Sequence, residues 1–298
     1  MNANLNKTSV EDIIFFDIET VRANEELEIG SAEYQAFRKK TRDRETDEYL
    51  SDEDLQKLYK RKAALYPAFS KIVCISLAYV RGNTVIVTSL TGEESQILID
   101  FSNIVNNSKG AVLCGWNIIG FDLPRVRVRA FGSGLDSWNL GKANDSGSKP
   151  WVLAEYVLDL MDIHKGTGYY NESLDEGCLI YGVPSPKDAL DGSMVSDEYY
   201  ANGVDNIAVY CEKDTVSCVQ ILLRMKGLPL VTEIVRKVTK GTTNERSMID
   251  QIFMEGHVSG DQLNIITDFA EENGLDKKIV GEILTAAVGD KKAKIELE

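Results

Sequence analysis

Apolar residues stand in short dense runs through the first half of the chain and move to helical spacing later. The run IIFFDI (13–18) is interrupted only by Asp17 and predicts a short buried strand. IVCISLAYV (72–80) and VIVTSL (85–90) flank the turn signal Gly82-Asn83 and predict a hairpin or meander. Between the first and second of these strands, residues 22–66 are crowded with Glu, Asp, Lys and Arg. Within them, SDEDLQKLYKRKAALY opens on Ser51 with acids in its first turn, the pattern of a capped helix. The expectation is a charged helical insertion. ESQILIDFSNIVNN (94–107) predicts a helix, GAVLCGWN (110–117) a compact strand with a polar end, residues 132–149 a loop, and VLDLMDI (157–163) a further strand. Asp205–Met225 carries its apolar residues on one helical stripe. Residues 229–298 have helical periodicity, Lys/Glu-rich faces and no strand signal, so the expected division is a domain at 1–228 and a helical extension of unknown role at 229–298. No internal repeat is present.

Hydrophobic residues make up 43% of the 298-residue chain and charged residues 27%, proportions that suit a soluble globular protein with a sizeable core. No apolar run reaches the length of a bilayer span and the N-terminal stretch has no signal-peptide core, so the expected location is the cytoplasm, with no membrane partner. Cys74, Cys114, Cys178, Cys211 and Cys218 are widely spaced and include no C-x-x-C pair, which argues for buried thiols in a reducing compartment. With only His164 and His257, a metal here would be held by oxygen. The net charge of −14 argues against a broad basic surface for nucleic acid, while leaving room for a local basic groove.

Three acidic constellations then draw attention. Asp17 and Glu19 stand two apart on the first strand, so both carboxylates face one side of the sheet at its end. Such a pair either sits past the strand in water or is neutralised by a cation. Asp122 follows Asn117 and a glycine-containing turn and precedes Leu123-Pro124, a helix start where an Asp is commonly an N-cap. Tyr210 and Asp214 are i and i+4 on the late helix and share a face.

In their order and spacing, the D-x-E, the N-x-x-x-F-D and the Y-x-x-x-D resemble the three exonuclease motifs of the DnaQ-like (DEDD) 3′–5′ exonuclease superfamily, in its tyrosine (DEDDy) branch. The stretches PAFSKIVCIS (67–76), GWNIIGFDLP (115–124), DLMD (159–162), SLDEGCLIYGVP (173–184), DGSMV (191–195) and YCEKDT (210–215) are similar to the predicted 3′–5′ exonucleases related to the proofreading domain of B-family DNA polymerases. This likeness covers residues 10–226. It implies an RNase H-like α/β fold, a mixed sheet flanked by helices, carrying the charged insertion and the C-terminal appendage. It further implies that Asp17, Glu19, Asp122 and Asp214 hold two divalent cations, Mg²⁺ or Mn²⁺. Four converging carboxylates repel one another without cations, and hard oxygen donors suit these ions. Tyr210 would orient the attacking water, because a phenol of ordinary pKa about 10 is a poor base at neutral pH. His164 lies too far before Asp214 to replace it and reads as a strand-end histidine.

The implied substrate is a single-stranded 3′ end, with DNA favoured over RNA and a role in DNA repair. Candidate substrate contacts are Asn117, Thr20, and the i, i+4 pair Arg125 and Arg129. Asn117 equally caps its own turn, and the arginines equally form a solvated basic face. Arg38-Lys39-Lys40 and Lys60-Arg61-Lys62 read as solvated helix faces, Phe121 and Trp116 as core residues able to stack on bases, and Asp159 and Asp162 keep an open role. Alternatives are an exoribonuclease on the same fold and a non-catalytic nucleic-acid-binding or scaffold module. DIETV also resembles the haloacid-dehalogenase nucleophile motif, but the later Lys and paired-Asp signature of that family is not found. The segment after residue 226 is too short for a polymerase, so proofreading would act in trans.

Overall fold

Apolar side chains on both faces of a single strand place that strand in the middle of a layered fold, and Ile13–Arg22 (β1) is such a strand. The computed structural model describes residues 3–43, 48–108, 111–135, 156–185 and 191–237. β1 pairs antiparallel with β2 (Ser70–Arg81), which pairs antiparallel with β3 (Thr84–Thr91) across the two-residue turn Gly82-Asn83. Gly82 takes φ +56°, a conformation that suits its missing side chain. On its other edge β1 runs parallel to β4 (Val112–Gly115), and β4 runs parallel to β5 (Val157–Asp159). A sixth strand, β6 (Glu233–Lys237), lies parallel to β3, which gives the sheet order β5-β4-β1-β2-β3-β6.

Nine helices accompany the sheet among the described residues: α1 (Ala3–Lys7), α2 (Ala32–Lys40), α3 (Asp52–Lys62), α4 (Glu94–Asn107), α5 (Asp122–Gly132), α6 (Leu160–Lys165), α7 (Leu174–Tyr181), α8 (Val195–Asn202) and α9 (Asp205–Met225). The period of two along β1 separates two cores. Ile13 and Phe15 join Cys218, Val219, Ile221 and Leu222 of α9 on one face, while Ile14, Phe16 and Ile18 join Ile97, Leu98 and Phe101 of α4 and Leu123 and Val126 of α5 on the other. The result is a mixed α/β sheet covered by helices on both faces. At the end of β4 a side chain on Gly115 would meet the Phe16 carbonyl at 2.6 Å, so close strand packing demands glycine there.

The insertion between β1 and β2 is helical as its pattern predicts. Ser51 caps α3 by accepting from the Asp54 amide. Leu27, Tyr34, Phe37, Leu55, Tyr59 and Phe69 form a core of their own, in which Phe37 meets Tyr59 and Phe69 edge to face at 5.2 and 5.0 Å.

Three expectations change. The strand expected at 157–163 ends at Asp159, because the Asp159 carboxylate caps α6 by accepting from the amides of Met161 and Asp162. His164 therefore stands on a helix rather than at a strand end. The sheet also extends past the boundary expected at residue 228, since β6 lies within the segment read as helical from 229. The chain divides into two units, Met1–Thr239 and Lys240–Glu298, and every described element belongs to the first. The rest of the expected extension, residues 238–298, and the loop from residue 136 onward lie outside the described residues. Among the described residues no helix is long and apolar enough to cross a membrane.

Candidate active site

Asp17 and Glu19 lie inside β1 rather than beyond it. The strand continues through Thr20, Val21 and Arg22, and Asp17 and Glu19 pair with Ser76 and Cys74 of β2. The ladder shifts register between Glu19 and Thr20, a local irregularity of the kind that re-aims side chains next to active sites. Both carboxylates are half-buried and share the sheet face covered by α9.

Asp122 reaches the same place from the opposite helix layer. Phe121, not Asp122, occupies the N-cap of α5 and makes no side-chain capping bond. Freed from that duty, the Asp122 Oδ1 accepts from the Ile18 amide at 3.1 Å, between the two acids of β1. The turn that delivers it is held by Asp159. That carboxylate accepts from the amides of Asn117 at 3.0 Å and Ile119 at 2.9 Å, in addition to capping α6. Asn117 takes φ +61°, a left-handed conformation that asparagine tolerates better than most residues, and its carbonyl accepts from the Gly120 and Phe121 amides.

α9 supplies the third side. Its i, i+4 spacing puts Tyr210 and Asp214 on one face, close enough for the Asp214 carboxylate to raise the proton affinity of the phenol. Cys211 donates its thiol to Asp17, 3.3 Å from Oδ2 and 3.4 Å from the backbone oxygen. Ligand atoms of Asp17, Glu19 and Cys211 lie within 4.8 Å of one another.

The electrostatics follow from this crowding. Burial, and then the charges of Asp122, Asp214 and Glu19, raise the Asp17 carboxyl well above its ordinary range. Burial, then Asp214, Cys74 and Asp122, do the same for Glu19. Asp122 is pushed up to about 8 by burial, with Asp159 adding and the Ile18 amide opposing. Tyr210 is raised by burial, then by Asp214 and Glu19, so it stays a neutral phenol at physiological pH. The four carboxylates and the tyrosine expected from the motifs thus lie in one electrostatic neighbourhood.

The expected substrate contacts fare differently. Arg125 is 4% exposed; it donates to Ser70 Oγ at 2.9 Å and the Leu65 carbonyl at 2.6 Å, and its guanidinium lies 4.8 Å from the Phe121 ring centre. Arg129 grips Glu94 with two donors, at 2.8 and 2.5 Å. Both are committed within the protein and tie α5 to the β1–β2 connection and to α4. Thr20 donates to the Ala64 carbonyl at 2.9 Å and anchors the insertion. Asn117 stays half-buried beside Asp122. Trp116 is buried and donates to the Glu172 carbonyl, with the His164 ring 5.9 Å away, and His164 Nδ1 hydrogen-bonds the Tyr181 hydroxyl. In the insertion, Lys60 pairs with Glu26, and Arg38 and Lys40 lie over tyrosine rings. Sequence reasoning missed Asp159 as the organiser of the Asp122 turn and Cys211 as a neighbour of Asp17. The only local signal for Cys211 was its place beside Tyr210.

Comparison with known proteins bears on this arrangement. No curated protein matches the chain. Among solved structures, the family B DNA polymerase from the hyperthermophilic archaeon Pyrobaculum calidifontis is similar at a TM-score of 0.50 and 16% identity, over 72% of this chain and 24% of the polymerase. This chain therefore spans about a quarter of that polymerase, and the likeness is one of fold. Residues 64–253 match the model of a family described as a predicted 3′–5′ exonuclease related to the exonuclease domain of PolB. The match includes Asp122, Tyr210 and Asp214, while Asp17 and Glu19 precede it and flank the Ile18 amide that binds Asp122; the chain belongs to this family of predicted 3′–5′ exonucleases.

Proposed function

We propose that the protein removes nucleotides from single-stranded 3′ ends by hydrolysis that depends on divalent metal, with DNA preferred to RNA. The observation that carries this reading is the convergence of Asp17, Glu19, Asp122 and Asp214 beside Tyr210, with the carboxylates raising one another's proton affinity. Among the described residues, Asp17, Glu19 and Asp122 have no ion-pair partner, so neutralisation has to come from protons or from an added cation. The donor set fits two Mg²⁺ or Mn²⁺ ions, hard cations that favour carboxylate oxygen. When bound, the cations supply Lewis acidity toward water and the scissile phosphate.

The chain's own groups do the rest. Asp17, Glu19, Asp122 and Asp214 fix where the cations sit. The Ile18 amide holds Asp122 against β1, so the two helix layers cannot separate the ligands. Tyr210 remains protonated and orients the attacking water as a hydrogen-bond partner rather than as a base. Asn117, half-buried on the turn before Asp122, hydrogen-bonds the terminal nucleotide in this reading. The preference for DNA, and with it a role in DNA repair, is supported by the likeness to a DNA polymerase, and the cytoplasmic location by five cysteines that stand as free thiols.

The test uses 5′-labelled single-stranded DNA and the same strand as RNA, each with Mg²⁺, Mn²⁺ or chelator. The expected result is a ladder that shortens from the 3′ end, needs metal, and drops at least about 10³-fold in rate in Asp17→Ala. Metal-independent cleavage, or full activity in Asp17→Ala, overturns the mechanism; faster cleavage of the RNA overturns the substrate preference.

A further inference from the structure

A polyanionic strand has to be met by cations, and on a chain of net charge −14 these must be placed locally. Arg125 and Arg129 are engaged inside the protein. Arg22 is 3% exposed and pairs with Asp197 at 2.7 Å. Lys71 differs from all three. It pairs across the ladder with Val21, two residues beyond Glu19 on β1. Val21 packs in one cluster with Tyr210 and Cys211, so Lys71 projects from the sheet face that carries Asp17 and Glu19. Among the described residues no carboxylate forms an ion pair with it.

The Lys71 ammonium instead lies 4.8 Å from the ring centre of Tyr199 and 5.5 Å from that of Tyr200, both on α8. The two rings meet edge to face at 5.3 Å. Tyr200 is fixed in place: its hydroxyl lies within hydrogen-bond distance of the carbonyls of Arg22 (2.8 Å) and Ala23 (3.0 Å), and the Arg22 guanidinium sits 5.0 Å from its ring centre. Tyr199 has no such tether among the described residues. Rings hold an ammonium in position without neutralising it, so its charge stays available to an anion. Val21 lies two strand residues, about 7 Å, beyond Glu19, and Lys71 is its neighbour on β2, so the ammonium stands on the flank of the carboxylate cluster.

We propose that Lys71 and Tyr199 form a subsite for the nucleotide upstream of the scissile bond, with Lys71 on its phosphodiester and the Tyr199 ring against its base. The subsite rests on the exonuclease reading of the carboxylate cluster and names the part of the substrate that reading leaves unassigned. Phosphate contact and aromatic stacking together are the sequence-tolerant way to hold a single strand.

The test measures binding of a fluorescein-labelled oligo(dT) in Ca²⁺ over a range of salt, and cleavage in Mg²⁺. In Lys71→Gln, affinity falls about tenfold and the slope of log K against log salt decreases by about 0.7, the signature of one lost single-strand phosphate contact. KM rises about tenfold with kcat within about twofold of wild type. Lys71→Arg restores the slope, which separates lost charge from misfolding. Tyr199→Leu weakens binding and keeps the slope, and a dinucleotide with no upstream phosphate is indifferent to Lys71→Gln. An unchanged salt slope in Lys71→Gln, with wild type active, overturns the subsite alone. A wild-type protein that neither binds nor cleaves overturns the exonuclease reading, and the subsite with it.

Discussion

Glu212 and Asp214 stand two residues apart on α9, both buried, and they are treated in opposite ways. Glu212 accepts from Ser89 Oγ at 2.8 Å and pairs with Arg236 of β6, so its charge is met by the protein. Asp214 lies instead with the carboxylates of Asp17 and Glu19, and its charge raises the proton affinity of both. The first arrangement fastens a helix to an edge strand. The second holds repulsion in place, which has use only if something outside the chain relieves it. A buried carboxylate therefore marks function here by the like charges gathered around it rather than by its burial alone.

The sharpest way to break this contrast is to neutralise one acid of the second kind. Asp122→Asn is expected to lower the cleavage rate at least about 10³-fold while raising the melting temperature of the metal-free protein by several degrees, because it removes repulsion from a buried site. The same variant isolates a pH effect. Asp122 has an ordinary pKa of 3.8 and stands at about 8 in the folded chain, so the native state binds the extra proton. Stability from this group is fully present below about pH 4 and is lost as pH rises through about 8. Metal-free wild type should therefore lose stability across that window relative to Asp122→Asn, and added Mg²⁺ or Mn²⁺ should remove the difference. Chemical denaturation at pH 5 and pH 8 checks it, and equal pH slopes for the two proteins would falsify it.

Glu212→Ala probes the other side of the contrast with an opposite sign. It should destabilise the fold by about 1–2 kcal/mol, the cost of a hydrogen bond and a half-exposed ion pair, with kcat of the folded protein within about threefold of wild type. Urea titration together with single-turnover cleavage reads both quantities. The smallest expected effect is Arg129→Ala: since Glu94 already holds this guanidinium, KM for a single strand should stay within about twofold. A tenfold rise would return Arg129 to the substrate and weaken the claim that this protein meets its arginines from within.

Much of the site was legible because two local periods fix it. Asp17 and Glu19 share a face by the strand repeat, and Tyr210 and Asp214 by the helical one, whatever the rest of the chain does. The fates of Arg125 and Arg129 were not legible, because their partners Leu65 and Glu94 lie 60 and 35 residues away. The same holds for Asp159, whose contacts with Asn117 and Ile119 depend on β4 and β5 lying side by side. β6 escaped for a different reason. It is an edge strand whose Ile234 and Val235 remain 49% and 41% exposed, so no buried alternation marks it.

The separate aromatic core of the insertion has a consequence for how the chain reaches this structure. β2 and β3 are joined by two residues, whereas Arg22 of β1 meets Ser70 of β2 only after the whole insertion has intervened. Loop-closure entropy makes the second pairing roughly 2–3 kcal/mol dearer if the insertion is a loose coil. Packing Phe37 against Tyr59 and Phe69 beforehand shortens the effective loop, since Phe69 directly precedes β2. The insertion then acts as a folding clamp that registers β1 against β2. Pulsed hydrogen exchange during refolding should find α3 amides protected before those that join Arg22 to Ser70.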